Sequence, residues 1–436
     1  MQRVDQRLVR VGLLGCGHVG GALIDLARQQ RAPVAARTGI DLDIVKVAVR
    51  SASKERSVEL DADVVTTDAR TLVDDPDIDV IVEVIGGIEP ARELILAALA
   101  AGKPVVTANK ELLANHGAEL YAAAAASGVD LLFEAAVAGG IPLMRPLRES
   151  LVGEPVGRVM GIVNGTTNYI LSQMAEAGAE YGDALAQAQS LGYAERDPTA
   201  DVEGYDAGAK AAIIATIAFG ADVVAGDVYH EGISRITPTD IEFATRLGYV
   251  IKLLAIIERL PGAGATPSIA VRVHPALVPV DHPLASVRDS FNAVFIEGDA
   301  VGDLMLYGRG AGGPPTASAV FGDLIDAASN LRQRTHAPIG SLSEATIVSI
   351  DELDSAFYLN IDVVDRPGVL AEVAGVFGEH GVSIQSMEQS GLNDNARIIF
   401  ITHSARERAV QATLRALRDL DSVGTVNGVL RVIGDG

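Results

Sequence analysis

Apolar and polar positions alternate along the first third of the chain in a pattern that selects a fold class. Short apolar runs stand at LVRVGLL (8–14), DIVKVAV (43–49), DVIVEVIG (79–86), PVVTANK (104–110) and VDLLFEA (129–135). Between them lie Ala-rich stretches of helical period, such as ARELILAALAAG and ELLANHGAELYAAAAASG. Strands alternating with helices predict βαβ units and a parallel sheet covered on both faces. Residues 1–140 are therefore expected to form a doubly wound domain, completed by a helix at about 312–335. The pattern then changes. Helical segments (141–151, 166–177, 180–191, 204–221, 239–248) mix with extended runs at 249–257, 268–273, 292–298 and 304–308. Residues 141–311 thus read as an α+β domain for substrate and oligomerisation. The polar, Pro-, Gly- and Ser-containing stretch 332–355 reads as a linker. Residues 356–434 restart with the order βαββαβ, a ferredoxin-like module.

Composition narrows the function. The 436 residues are 48% hydrophobic, enough for a real core, and carry a formal net charge of −22. That charge argues against nucleic acid and anionic membranes as partners. A single cysteine, Cys16, rules out an intrachain disulfide and fits a reducing, cytoplasmic setting. The N-terminus lacks the pattern of a signal peptide, and the longest apolar segment, 211–221, is too short to span a bilayer. The histidines form no HxxxH pair and there is no CxxC, which argues against structural zinc.

The candidate chemistry begins at Gly15-Cys16-Gly17-His18-Val19-Gly20, a GxGxxG run that follows a predicted strand and opens a predicted helix. In that context the first glycine permits the turn, the second lets backbone approach a pyrophosphate, and the third packs helix on strand. The domain is therefore Rossmann-like and dinucleotide-binding. An acidic residue ending the second strand would bind the ribose of NAD(H). Here that strand ends in Arg50, with Lys54 soon after, which favours the 2′-phosphate of NADP(H). Cys16 reads as a small spacer at the pyrophosphate end, so a thioester mechanism is disfavoured.

Residues 192–210, GYAERDPTADVEGYDAGAK, crowd five carboxylates (Glu195, Asp197, Asp201, Glu203, Asp206) ahead of a lone lysine, Lys210. Asp206 and Lys210 share a helix face, and the helix continues as AAIIATIAF, apolar almost all round. The expectation is a polar pocket in which Asp206 positions an ammonium able to protonate a nascent alkoxide. A structural ion pair at the mouth of a buried helix is the simpler alternative. Surplus acids suit a substrate bearing an amino group. Lys110 closes PVVTANK just before a helix, where a cation is unfavourable unless it serves a ligand.

The segment A-x3-G-Y-A-E-x-D-P-x2-D-x2-G-x-D-x3-K, from Ala188 to Lys210, resembles the signature of the homoserine dehydrogenase family. PVVTANKELLA, FEAAVAGGIP, GIVNGTTNYIL, ITPTDI, LGYVIKLLAI and GRGAGGPPTA resemble the same family in the expected order, from about residue 8 to 335. The resemblance implies reversible NAD(P)H-dependent reduction of L-aspartate 4-semialdehyde to L-homoserine, a step toward threonine, methionine and isoleucine. It implies Lys210 as proton donor, Asp206 as its partner at the substrate, Glu195 as a substrate ligand and Lys110 at the junction of nicotinamide and substrate. Gly192 and Gly310 fall in loops that the family places near the cofactor. FEAAVAGGIP is similar to the family's monovalent-cation site, which implies Glu134 with the carbonyls of Val137, Gly139 and Ile141 around Na⁺ or K⁺.

DRPGVLAEVAGVFGEHGVSI, with Asp365-Arg366-Pro367-Gly368 as its loop, resembles the opening of an ACT domain. That implies an amino-acid effector, L-threonine, and assembly as a homodimer or homotetramer. Two other readings stay open: a dehydrogenase of another amino-acid semialdehyde, and a non-catalytic sensor of dinucleotide and amino acid.

Overall fold

The computed structural model describes residues 7–261, 266–392 and 395–434. Residues 1–6, on which part of the reading of the N-terminus falls, lie outside the described residues. The chain divides into two compact units: Met1–Arg158 with Ala209–Val228 and Asn292–Ala345, and Val159–Gly208 with Tyr229–Phe291 and Thr346–Gly436.

The chain opens with β1 (Arg7–Leu14), α1 (His18–Thr38), β2 (Ile40–Ala48), β3 (Val65–Thr66), α2 (Arg70–Asp74) and β4 (Val80–Glu83). It continues with α3 (Ala91–Ala100), β5 (Val105–Thr107), α4 (Lys110–Ser127) and β6 (Leu131–Leu132). The six strands form one parallel sheet in the order β3-β2-β1-β4-β5-β6. β4 is buried at every position, as a strand covered on both faces must be. The strand order reverses between β1 and β4, so the crevice beyond their C-terminal ends is where such a sheet holds a ligand.

Next come β7 (Val156–Ile162), α5 (Gly165–Ala177), α6 (Tyr181–Ser190), α7 (Thr199–Val202), α8 (Tyr205–Phe219), β8 (Tyr229–His230) and α9 (Pro238–Arg246). After them stand β9 (Tyr249–Leu260), β10 (Ser268–Pro279), β11 (Phe291–Gly298), β12 (Gly302–Arg309), α10 (Gly313–Gln333) and β13 (Thr346–Ile347). Although remote in sequence, α10 buries Val320, Phe321 and Leu324 in the same core as Leu23 and Ile24 of α1 and the β1 valines. One expected helix is shortened here, and one strand is unannounced by the sequence. The helix expected over 141–151 is shorter, helical from residue 144 and ending in a π-helix at Pro146–Ser150. The Glu134 carboxylate accepts the amides of Leu143, Met144 and Arg145, the opening groups that a helix leaves unpaired. The strand β7, VGRVMGI, carries two glycines and an arginine, and its apolar pattern is too weak to announce it.

The tail contains β14 (Asp354–Val364), α11 (Val369–Glu379), β15 (Ile384–Leu392), β16 (Asn395–Thr402), β17 (Ala405–Arg406), α12 (Glu407–Arg418) and β18 (Val423–Val432). Its four long strands pair antiparallel as β18-β14-β16-β15 around Phe357, Phe377 and Phe400, so the ferredoxin-like expectation holds. β18 also pairs with β10, so the tail's sheet continues into the β9–β10 hairpin. Within the stretch expected to be a linker, β13 pairs with β10. No helix among the described residues is long and apolar enough to cross a membrane.

Candidate active site

The glycine loop sits at the end of β1, and each glycine has a distinct steric reason. Gly15 has φ +105°, and a Cβ there would lie 2.8 Å from the Val84 carbonyl oxygen. Around Gly17 nothing stands within 4 Å of where a Cβ would be, so its backbone is open to a ligand. A Cβ on Gly20 would lie 2.3 Å from the Gly15 carbonyl oxygen, so loop and helix touch backbone to backbone. His18 begins α1 and is exposed, Val19 follows, and the first turn holds no acid. Unpaired N–H groups and the positive helix end thus face an open loop, which fits a pyrophosphate. A second helix start joins them, since a Cβ on Gly313, the first residue of α10, would lie 3.1 Å from the His18 carbonyl oxygen.

The loop before α10 is locked against residues 139–140. A Cβ on Gly139 would lie 2.3 Å from the Gly310 carbonyl oxygen, and one on Gly310 would overlap the buried Asn292 amide. The Gly140 amide donates to the Arg309 carbonyl at 3.0 Å. Ala138 and Gly139 both hold positive φ in this turn, which carries Val137 and Ile141 on either side. The Glu134 carboxylate accepts the amides of Leu143, Met144 and Arg145. The Glu134 amide in turn donates to Asp323 Oδ2 at 2.7 Å.

Arg50 follows β2 and is exposed, as is Lys54. Arg56, which the sequence reading passed over, is half-buried and donates to the carbonyls of Ser51, Ala52 and Lys54, closing the segment into a turn. Burial raises the Cys16 thiol pKa, and the nearby Arg56 guanidinium only partly offsets this, so Cys16 is no thiolate nucleophile. Lys110 starts α4 beside the N-cap Asn109, whose side chain accepts from the Leu112 amide at 3.1 Å and donates to the Gly87 carbonyl at 2.6 Å. Buried Glu83 ties the neighbouring strand ends, accepting Thr107 Oγ1 at 2.5 Å and the amides of Ile85 and Gly86.

The five acids separate into different roles. Asn164, the N-cap of α5, donates through Nδ2 to Asp201 Oδ1 at 2.7 Å and to Asp206 Oδ2 at 2.9 Å. Its Oδ1 accepts the Thr167 amide at 2.9 Å. One amide thus clamps two carboxylates, and Asp206 is buried. Asp197 caps Thr199, whose hydroxyl and amide hold its carboxyl below the usual range. Glu195 is exposed, its carbonyl accepting Gln189 Nε2 at 3.0 Å. Gly192, also exposed, has φ +76°. Asp206 and Lys210 lie one turn apart on α8, both buried, among Ala211, Ile213, Ile214 and Phe219.

The sequence is 50% identical over 428 residues to homoserine dehydrogenase of Corynebacterium glutamicum, covering 98% of this chain and 96% of that one. The chain belongs to the homoserine dehydrogenase family. Family models agree along its length: homoserine dehydrogenase, NAD binding domain, over residues 15–134; homoserine dehydrogenase over 142–325; and ACT domain over 357–422. Among solved structures, a homoserine dehydrogenase from Thiobacillus denitrificans superposes with a TM-score of 0.91 at 41% identity, covering 98% of each chain. A hyperthermophilic archaeal homoserine dehydrogenase in complex with NADPH gives a TM-score of 0.63 at 29% identity, over 74% of this chain and 98% of that one. The chain is thus an NAD(P)-dependent oxidoreductase with an ACT domain.

In this homoserine dehydrogenase family member the residues hidden from sequence reasoning are Asn164, Arg56, Glu83 and Asp323. Asn164 had a signal, because NGTTN ahead of an apolar run reads as a helix cap. Asp323 gives a pH test. Burial first, then the neighbouring Glu134 charge, push its pKa up to about 7, against the hydrogen bond from the Glu134 amide. The folded state therefore binds more protons than the unfolded chain between the ordinary aspartate range and about pH 7, and this group's contribution to stability falls as pH rises through that window. Asp323→Asn keeps an acceptor for the amide and removes the titration. In paired thermal melts the variant should gain on the parent as pH rises from 5 to 8. A constant difference between the two across that range would refute the assignment.

Proposed function

We propose that the chain catalyses the reversible reduction of L-aspartate 4-semialdehyde to L-homoserine, favouring NADP(H) over NAD(H), with Lys210 as proton donor. The observation that carries this reading is a buried lysine one turn after a buried, clamped aspartate on an otherwise apolar helix. The open glycine loop at the start of α1 fits the dinucleotide, whose bound nicotinamide supplies the hydride to the aldehyde carbon. Lys210 gives a proton to the oxygen as it becomes negative, and the amine regains one from solvent. Asp206 and Asp201, held by Asn164, and Glu195 present carboxylates to the substrate's ammonium and hydroxyl end. Lys110 serves the nicotinamide end. Gly192 and Gly310 shape loops along the cofactor.

Arg50 pairs with the 2′-phosphate. Arg50→Ala should lower kcat/KM with NADP⁺ about tenfold while leaving NAD⁺ nearly unchanged. Equal losses with both cofactors would remove that role. A monovalent cation, Na⁺ or K⁺, seats in the 134–141 turn. Its oxygen ligands there are Glu134, whose carboxylate also accepts three amides, and the main-chain carbonyls of Val137, Gly139 and Ile141. L-threonine acts through the ACT domain, and the assembly is a homodimer or homotetramer in the cytoplasm.

The test is absorbance of the reduced nicotinamide with L-homoserine and either NADP⁺ or NAD⁺, in buffers containing Na⁺ or K⁺, with and without L-threonine. Cofactor reduction is expected. Binding of both ligands with no turnover would mean a sensor, and turnover only with another amino alcohol would mean a related dehydrogenase.

A further inference from the structure

A cavity of about 460 Å³ in the second unit has neither Asn164 nor the Asp365–Gly368 loop in its lining. The end of α12, β18 and the segment from β8 to the start of α9 form its walls. That volume suits a small metabolite. Most of its charged walls are already satisfied. Arg431 pairs with Glu407 at 2.8 Å and Glu231 at 2.9 Å, and Asp240 accepts Thr237, Tyr358 and Asn360. Three groups are not. Arg235, Arg418 and the Glu203 carboxylate face the same space, and among the described residues no ion pair or side-chain hydrogen bond holds any of them.

We propose that this cavity is a binding site for a zwitterionic α-amino acid. Arg235 and Arg418 take its carboxylate, and Glu203 takes its ammonium. Two guanidiniums and one carboxylate match that charge pattern, where a simple dicarboxylate would leave Glu203 opposed. The site has a short path to α8. Glu203 lies three residues before Asp206, joined through Gly204 at φ +84°. Tyr205, also in the wall, lies 5.2 Å ring to ring from His230. The His230 ring rests on Gly208, where a Cβ would come within 2.1 Å of Nε2. A ligand drawing Glu203 toward the cavity would shift the turn that carries Asp206. That regulatory consequence rests on the dehydrogenase reading; the binding itself does not.

The test is calorimetric titration of the purified full chain with L-threonine, then with each other proteinogenic L-amino acid, in the millimolar range and without cofactor. At least one should bind saturably, and its N-acetyl form should not. Arg235→Ala and Arg418→Ala should each weaken binding about tenfold or more, with melting and uninhibited homoserine oxidation unchanged. Arg366→Ala, in the other loop, should leave the affinity alone. No binding by any amino acid, unaltered affinity in both cavity variants, or loss in Arg366→Ala alone would overturn the proposal. Turnover with homoserine is read separately, so failure of one reading does not disguise failure of the other.

Discussion

Lys210→Ala is expected to lower kcat for homoserine oxidation by roughly a thousandfold while the affinity for NADP⁺ stays within about twofold. The reasoning is local. Lys210 is 9% exposed on a helix whose neighbours Ala207, Ala211, Ile213 and Ile214 are buried and apolar. An ammonium is costly to hold in such surroundings, and Asp206, one turn earlier, is the carboxylate that its helix face offers. The cofactor loop lies at the start of α1, on a different element, so the substitution should spare dinucleotide binding. Lys210→Arg separates two roles. Arginine keeps the charge but does not release its proton near neutral pH, so it should remain slow if proton donation is the task. Single-turnover kinetics with deuterated homoserine would show whether the chemical step is the one slowed. Near-normal turnover in Lys210→Ala would return the residue to a structural ion pair.

Gly20→Ala should raise the dissociation constant for NADPH by about a hundredfold, a loss read by quenching of nicotinamide fluorescence. A methyl group there would sit 2.3 Å from the Gly15 oxygen, a backbone atom that cannot swing aside. Loop and helix must separate, and that misplaces the open backbone at Gly17. Gly17→Ala is the control. Its Cβ meets no protein atom within 4 Å, so the apoprotein should melt normally and any loss comes from collision with the cofactor itself. Equal affinity in Gly20→Ala and parent would mean that the pyrophosphate does not lie on this loop.

Much of the fold was legible because it rests on short-range patterns. Short apolar runs mark β1, β2, β4, β5 and β6, though not the two-residue β3, and the βαββαβ order of the tail follows from its own periodicity. β7 was not legible, since its burial comes from neighbours and its own side chains alternate poorly. The helix at 144–150 starts later than expected because Glu134, nine to eleven residues before Leu143 and Arg145, takes their amides and fixes where the helix begins. The same distinction runs through the candidate site. Asp206 and Lys210 announce each other by helical spacing. Asn164 meets its two aspartates across 37 and 42 residues, and Glu83 reaches Thr107 across 24, separations at which no local pattern speaks.

The pairing of β18 with β10 bears on how the proposed effect of L-threonine could be removed by engineering. Ala276 and Leu277 of β10 are fully buried, and the amide of Ile433, just past β18, donates to the Leu277 carbonyl at 2.8 Å. Cutting the chain before residue 354 would strip that strand edge and leave Glu231 without Arg431. A bare edge invites sheet-to-sheet association between molecules. The truncated protein would then be lost to insolubility before its regulation could be measured. Single substitutions in the tail that keep β18 in place are the sounder route to an enzyme that no longer answers to the proposed effector.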